Sequence, residues 1–148
     1  MNYNEIEIIL IEDNMDDATL AIHSLRQKHL TNKIIHLKNG DEALRYFFSD
    51  LDGEKSSNAS KIIFLDLKMP KVDGIEVLTK IKSEVSTKNI PVIILTSSNE
   101  DPDIERCYTL GANSYVVKPI EFENFSSKIS QLGFYWTVLN RAPVKNGG

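Results

Sequence analysis

Residues 61–74 read KIIFLDLKMPKVDG. The apolar run 62–65 (IIFL) is short, does not alternate, and is flanked by turn formers. That pattern fits a central strand buried on both faces. The run ends on a carboxylate, Asp66, and the chain then passes through Pro70 and Asp73-Gly74. After Gly74, Ile75, Leu78 and Ile81 recur at helical spacing, predicting a helix over 75–83 with those residues inward. A strand buried on both faces needs helices on both sides of its sheet.

The same arrangement recurs outward from this stretch. Residues 6–11 (IEIILI) read as a buried strand, and a helix over 15–29 follows, with Ala18, Ala21, Ile22 and Leu25 on one face. Residues 33–37 (KIIHL) form a short strand, Asn39-Gly40 a turn, and 41–48 a short helix. The polar stretch 49–60 (SDLDGEKSSNAS) reads as a surface loop. Residues 91–95 (PVIIL) are a strand, and 101–110 a helix with Ile104, Cys107 and Tyr108 on one face, stopped by Gly111. A fifth strand spans 113–117. A last helix spans 120–135 with Phe122, Phe125, Ile129 and Leu132 inward, and the tail from 140 reads as disordered. Five strands alternating with five helices predict an α/β domain: a parallel sheet covered on both faces, with right-handed crossovers.

Four of the strands end in chemically capable residues: Glu12-Asp13, Asp66, Thr96 followed by Ser97, and Lys118-Pro119. In an open parallel sheet these carboxyl ends lie along one edge, where such folds bind ligands. Three carboxylates, a hydroxyl and an ammonium suit a hard divalent cation and a phosphoryl group. A carboxylate at the end of a buried strand can also act as a nucleophile toward phosphorus. Taken singly, each residue has a plainer reading. The acids can cap helices, Lys118 can form a structural ion pair, and Thr96 can be an ordinary strand-end threonine.

Composition narrows the field. The chain has 148 residues, 41% hydrophobic and 26% charged, which suits one globular domain. No apolar stretch approaches the ~20 residues of a membrane span. The opening MNYNEIEI lacks the basic region of a secretion signal. Cys107, the single cysteine, cannot form an internal disulfide, and a reducing cytoplasm is the expected setting. A net charge of −4 without a basic face argues against nucleic-acid binding. His23, His29 and His36 show no metal-ligand spacing, and the glycines form no phosphate loop.

The acid pair Glu12-Asp13, the segment FLDLKMPKVDG around Asp66, Thr96-Ser97 and Lys118-Pro119 together resemble the receiver domain of a two-component response regulator. The resemblance covers residues 5–135. It implies a doubly wound, flavodoxin-like sheet with strand order 2-1-3-4-5. It implies that Asp66 accepts a phosphoryl group from a sensor histidine kinase or a histidine phosphotransfer protein. Mg²⁺ would be held by Asp13, Asp66 and the Lys68 backbone carbonyl, with Glu12 acting through a water. Thr96, Ser97 and Lys118 would face the phosphoryl group, and Tyr115 would be the switch aromatic. The Lys118-Pro119 peptide would be cis. Two departures stand out. Glu12 occupies a position more often aspartate, and the charged Lys68 flanks the phosphoryl site.

The aromatic segment 133–139 (GFYWTVL) and the long polar loop at 49–60 are similar to stand-alone receivers of the cyanobacterial phytochrome-regulator type. That implies a phytochrome-like or other sensor histidine kinase as partner. The aromatic residues exceed what the last helix needs, and read either as an arm that caps the core or as a partner or homodimer surface. A receiver is expected over 1–139, with a short tail over 140–148. With no separate substrate to turn over, the protein would not be an enzyme in the ordinary sense. Two other classes compete. An aspartate-nucleophile phosphatase typically carries a second aspartate two residues after the nucleophile, where this chain has Lys68. A flavodoxin-like cofactor carrier needs a Ser/Thr/Gly-rich phosphate loop after the first strand, where this chain has EDNMDD.

Overall fold

In the computed structural model the run at 61–66 becomes β3 (Lys61–Asp66), every residue of it buried. The structure describes residues 6–27, 32–49, 60–96 and 101–117, together with Gln131. Around β3 lie β1 (Glu7–Ile11), β2 (Ile34–Leu37), β4 (Val92–Thr96) and β5 (Ser114–Val117), interspersed with α1 (Met15–Gln27), α2 (Gly40–Phe48), α3 (Gly74–Ser83) and α4 (Asp101–Thr109). The sheet order is β2-β1-β3-β4-β5, and every neighbouring pair is parallel. The expected doubly wound α/β fold, with its order 2-1-3-4-5, is what forms. The expected last helix, the loop at 50–59 and the tail from 140 lie outside the described residues, apart from Gln131.

Successive strand residues feed opposite faces. Ile9, Ile11, Ile63, Leu65 and Ile94 pack with Ala43 of α2, Val77, Leu78 and Ile81 of α3, and Cys107 of α4. Ile8, Leu10, Ile62, Phe64, Ile93 and Leu95 pack on the other side with Ala18, Ala21 and Leu25 of α1. Two of the expected helix faces need correcting. Val77 is fully buried while Ile75 is only half-buried, and Tyr108 is 48% exposed, pointing away from the core that Cys107 enters.

The connections decide where the functional edge lies. The order places β1 beside β3, with chain leaving β1 for one face and β3 for the other, so a crevice opens between their carboxyl ends. Gly74 holds the exit from β3 tight. Its N–H donates to the Leu67 carbonyl at 2.8 Å. A Cβ there would lie 2.5 Å from Leu67 Cα and would also run into the Asp66 carbonyl oxygen. Between them, Lys71 takes a left-handed φ of 65° directly after Pro70, which folds the loop back on itself.

Candidate functional site

The apolar residues of β1 and β3 anchor both strands, so the residues that end them are fixed in space. Register pairs Ile11 with Leu65, which sets Glu12 and Asp66 at the same level of the sheet. Glu12 (1% exposed) and Asp66 (4%) are buried, whereas Asp13 is exposed. One carboxylate oxygen from each of the three lies within 4.8 Å of the others. Three carboxylates at that separation repel one another unless a cation lies among them. They are hard oxygen donors of the kind Mg²⁺ and Mn²⁺ accept. The donor set therefore fits a divalent cation.

The helix-capping alternative fails for these acids. At the start of α1 the capping group is Asn14: its side chain accepts from the Asp17 N–H at 3.0 Å and its carbonyl from the Ala18 N–H at 2.9 Å. At the start of α3 it is Asp73, accepting from the Glu76 N–H at 3.0 Å. Glu12 accepts a long contact from the Asn14 N–H, at 3.4 Å, two residues away and outside the helix's own capping bonds. Asp66 instead turns Oδ1 toward the N–H of Lys68, at 3.2 Å. That contact curls the loop around the carboxylate and leaves the Lys68 side chain exposed.

The remaining residues fall into two groups. Thr96 ends β4 in register with Val117, one position beyond the Asp66–Leu95 pair, so its backbone sits at the same edge. Tyr115 lies half-buried on β5, packed against the core face that holds Cys107. Ser97, Lys118 and Pro119, with the expected cis peptide, lie outside the described residues. One residue at the site was not expected. His36, dismissed from its spacing, places Nε2 2.8 Å from the Glu12 backbone carbonyl. Its position beside a strand that ends in two acids was the available signal.

A response regulator receiver domain model matches residues 8–130. The chain belongs to the response regulator receiver family. Among its relatives is the probable methanogenesis regulatory protein FilR2 of Methanothrix harundinacea, 38% identical over 92% of this chain and 86% of that one. The response regulator Rcp1 of Synechocystis is 31% identical over 87% of each chain. The Mn²⁺-bound form of Rcp1 superposes with a TM-score of 0.85 at 30% identity, covering 93% of this chain and 99% of that one. The phosphorylated cyanobacterial phytochrome response regulator RcpA superposes with a TM-score of 0.86 at 30% identity, covering 93% and 98%. The receiver is thus a signalling module similar to the cyanobacterial phytochrome regulators. Nothing in these likenesses favours a phosphatase or a cofactor carrier. Among the described residues, no helix is long and apolar enough to cross a membrane.

Proposed function

We propose that the receiver takes a phosphoryl group from a phosphohistidine onto Asp66 in a Mg²⁺-dependent reaction and signals by changing its affinity for a partner. One carboxylate oxygen of Asp66 attacks phosphorus, the P–N bond breaks, and the departing imidazole keeps the electron pair and takes a proton. Asp13, Asp66 and the Lys68 backbone carbonyl would hold the cation, with Glu12 behind them acting through a water. When bound, the cation neutralises charge building on the phosphoryl oxygens. Thr96, Ser97 and Lys118 would meet those oxygens from β4 and from the residue after β5. Tyr115 would follow Thr96 inward and reshape the α4 face.

The observation that carries this reading is a buried Asp66 carboxylate that caps no helix and shares a cluster with two other acids. The donor is a sensor histidine kinase or a histidine phosphotransfer protein. Likeness to Rcp1 and RcpA favours a phytochrome-like kinase. The receiver occupies residues 1–139 with a tail over 140–148, works in the cytoplasm, binds no nucleic acid, and turns over no separate substrate. Acetyl phosphate with Mg²⁺ tests the chemistry. A single hydroxylamine-labile phosphate is expected on the parent protein and none on Asp66→Asn. Full labelling of that variant would refute the assignment, and steady turnover of a phosphomonoester would revive the phosphatase.

A further inference from the structure

The paired register of β1 and β2 ends immediately before the acid pair. Its last register pair is Ile11 with Leu37. Ile8 and Glu12 turn their backbone groups toward β2, with Ile8 N–H donating to Lys33 O and Glu12 N–H to Leu37 O at 3.1 Å. The Glu12 carbonyl faces the same neighbour, since each residue of a parallel strand directs both its backbone groups to one side. Yet β2 stops at Leu37, and Asn39 is already the N-cap of α2, its side chain accepting from the Glu42 N–H at 2.7 Å.

The His36 ring reaches the Glu12 carbonyl, with Nε2 2.8 Å from the oxygen. A carbonyl oxygen only accepts, so Nε2 carries the hydrogen and donates it. The bond fixes the plane of the peptide that joins Glu12 to Asp13. Both side chains are hung from that plane, one on each end. Both belong to the 4.8 Å cluster with Asp66, so the setting of that plane decides how closely three like-charged carboxylates approach. His36 is not itself a member of the cluster.

We propose that His36 is a positioning residue for the cation site: its Nε2–H holds the Glu12–Asp13 peptide so that both carboxylates converge on Asp66. The inference rests on the cation reading of the cluster given above. It assigns the role to the donor N–H, not to the bulk or charge of the ring, so a side chain that keeps a terminal N–H replaces it.

The test compares the parent protein with His36→Leu, which removes the donor, and His36→Gln, which keeps an N–H at similar reach. Mn²⁺ is titrated and the free ion followed by electron paramagnetic resonance. The Asp13 amide is followed by ¹⁵N–¹H NMR before any metal is added. His36→Leu should weaken Mn²⁺ binding about tenfold, the low end for losing a partner behind a metal ligand. It should also move the Asp13 amide signal, while His36→Gln restores both. If the leucine variant does not fold, His36→Phe removes the donor while keeping a ring. Parental affinity with an unmoved Asp13 amide in the donor-less variant overturns the inference alone, as does a glutamine variant as weak as the leucine one. A parent protein that takes up no Mn²⁺ overturns the cation reading and the inference with it.

Discussion

Asp66 and Cys107 are both buried, but burial acts on them in different company. Asp66 lies at the sheet edge with a backbone N–H against Oδ1 and two acids nearby. Cys107 lies inside the apolar face formed by α3 and α4, fully enclosed. Desolvation pushes its thiol up from 9.0 to about 11, helped by Asp103 and partly opposed by Arg106. The folded protein therefore favours the neutral thiol. The stability this contributes is complete below pH 9 and is lost as the pH rises through about 11. Relative to Cys107→Ala, the parent should lose on the order of 2 kcal/mol of unfolding free energy across that window, measured by urea titration. Parallel losses in both proteins would show that the thiol does not titrate as argued. At this scale the carboxylates were legible in the sequence because each follows an apolar run. Asn14 and His36 were not. A cap is told from its neighbours only by which side chain reaches the free N–H, and His36 meets Glu12 across two strands, 24 residues apart in sequence.

Element boundaries follow from apolar runs and from the residues that stop them, and those were legible too. Gly111 ends the α4 segment with φ at 107°, as its placement after the helix suggested. The inward faces were less legible. A helix pressed on a sheet and on a neighbouring helix buries a wider stripe than the three residues picked from 3.6 periodicity, and Val77 lies in that extra width. Two substitutions separate the work of a cap from that of a close backbone approach. Asn39→Ala removes the acceptor for the Glu42 N–H and should cost about 1 kcal/mol, leaving phosphorylation unchanged. Gly74→Ala forces a methyl group against the backbone of Asp66 and Leu67, which cannot swing aside. Its expected cost is about 2–3 kcal/mol, with slower phosphorylation because the acceptor's own peptide must shift. Urea unfolding and acetyl phosphate labelling of both variants check this. A Gly74→Ala protein as stable and as readily labelled as the parent would show that the loop has room to move.

Across the whole molecule the two ends of the sheet carry different electrostatics. At the amino end the buried Glu7 is matched by Lys61 across the register, at 3.6 Å. At the carboxyl end three acids gather, a donor set that fits a divalent cation. The alternation of elements made the parallel sheet legible, and the family resemblance supplied its order. What neither supplied is how a change at that end is read by another molecule. The surface expected to respond comprises α4, β5 and the last helix, around Ile104, Tyr108, Tyr115 and Phe122; Tyr108 is exposed and Ile104 and Tyr115 are half-buried. Phe122, and the aromatic segment Phe134–Trp136 expected to enlarge that surface into a homodimer face, lie outside the described residues. A stable dimer needs roughly 1,000 Å² of buried surface, and each aromatic side chain can bury about 150–250 Å². Three aromatic side chains against a second copy would supply a fair share of that area. The expected outcome is a homodimer that phosphorylation strengthens. Sedimentation velocity with and without beryllofluoride should show a larger dimer fraction when the phosphoryl mimic is bound, and Trp136→Ala should reduce it. A monomer at high concentration in both states would remove the dimer and leave binding to a different protein as the route of output.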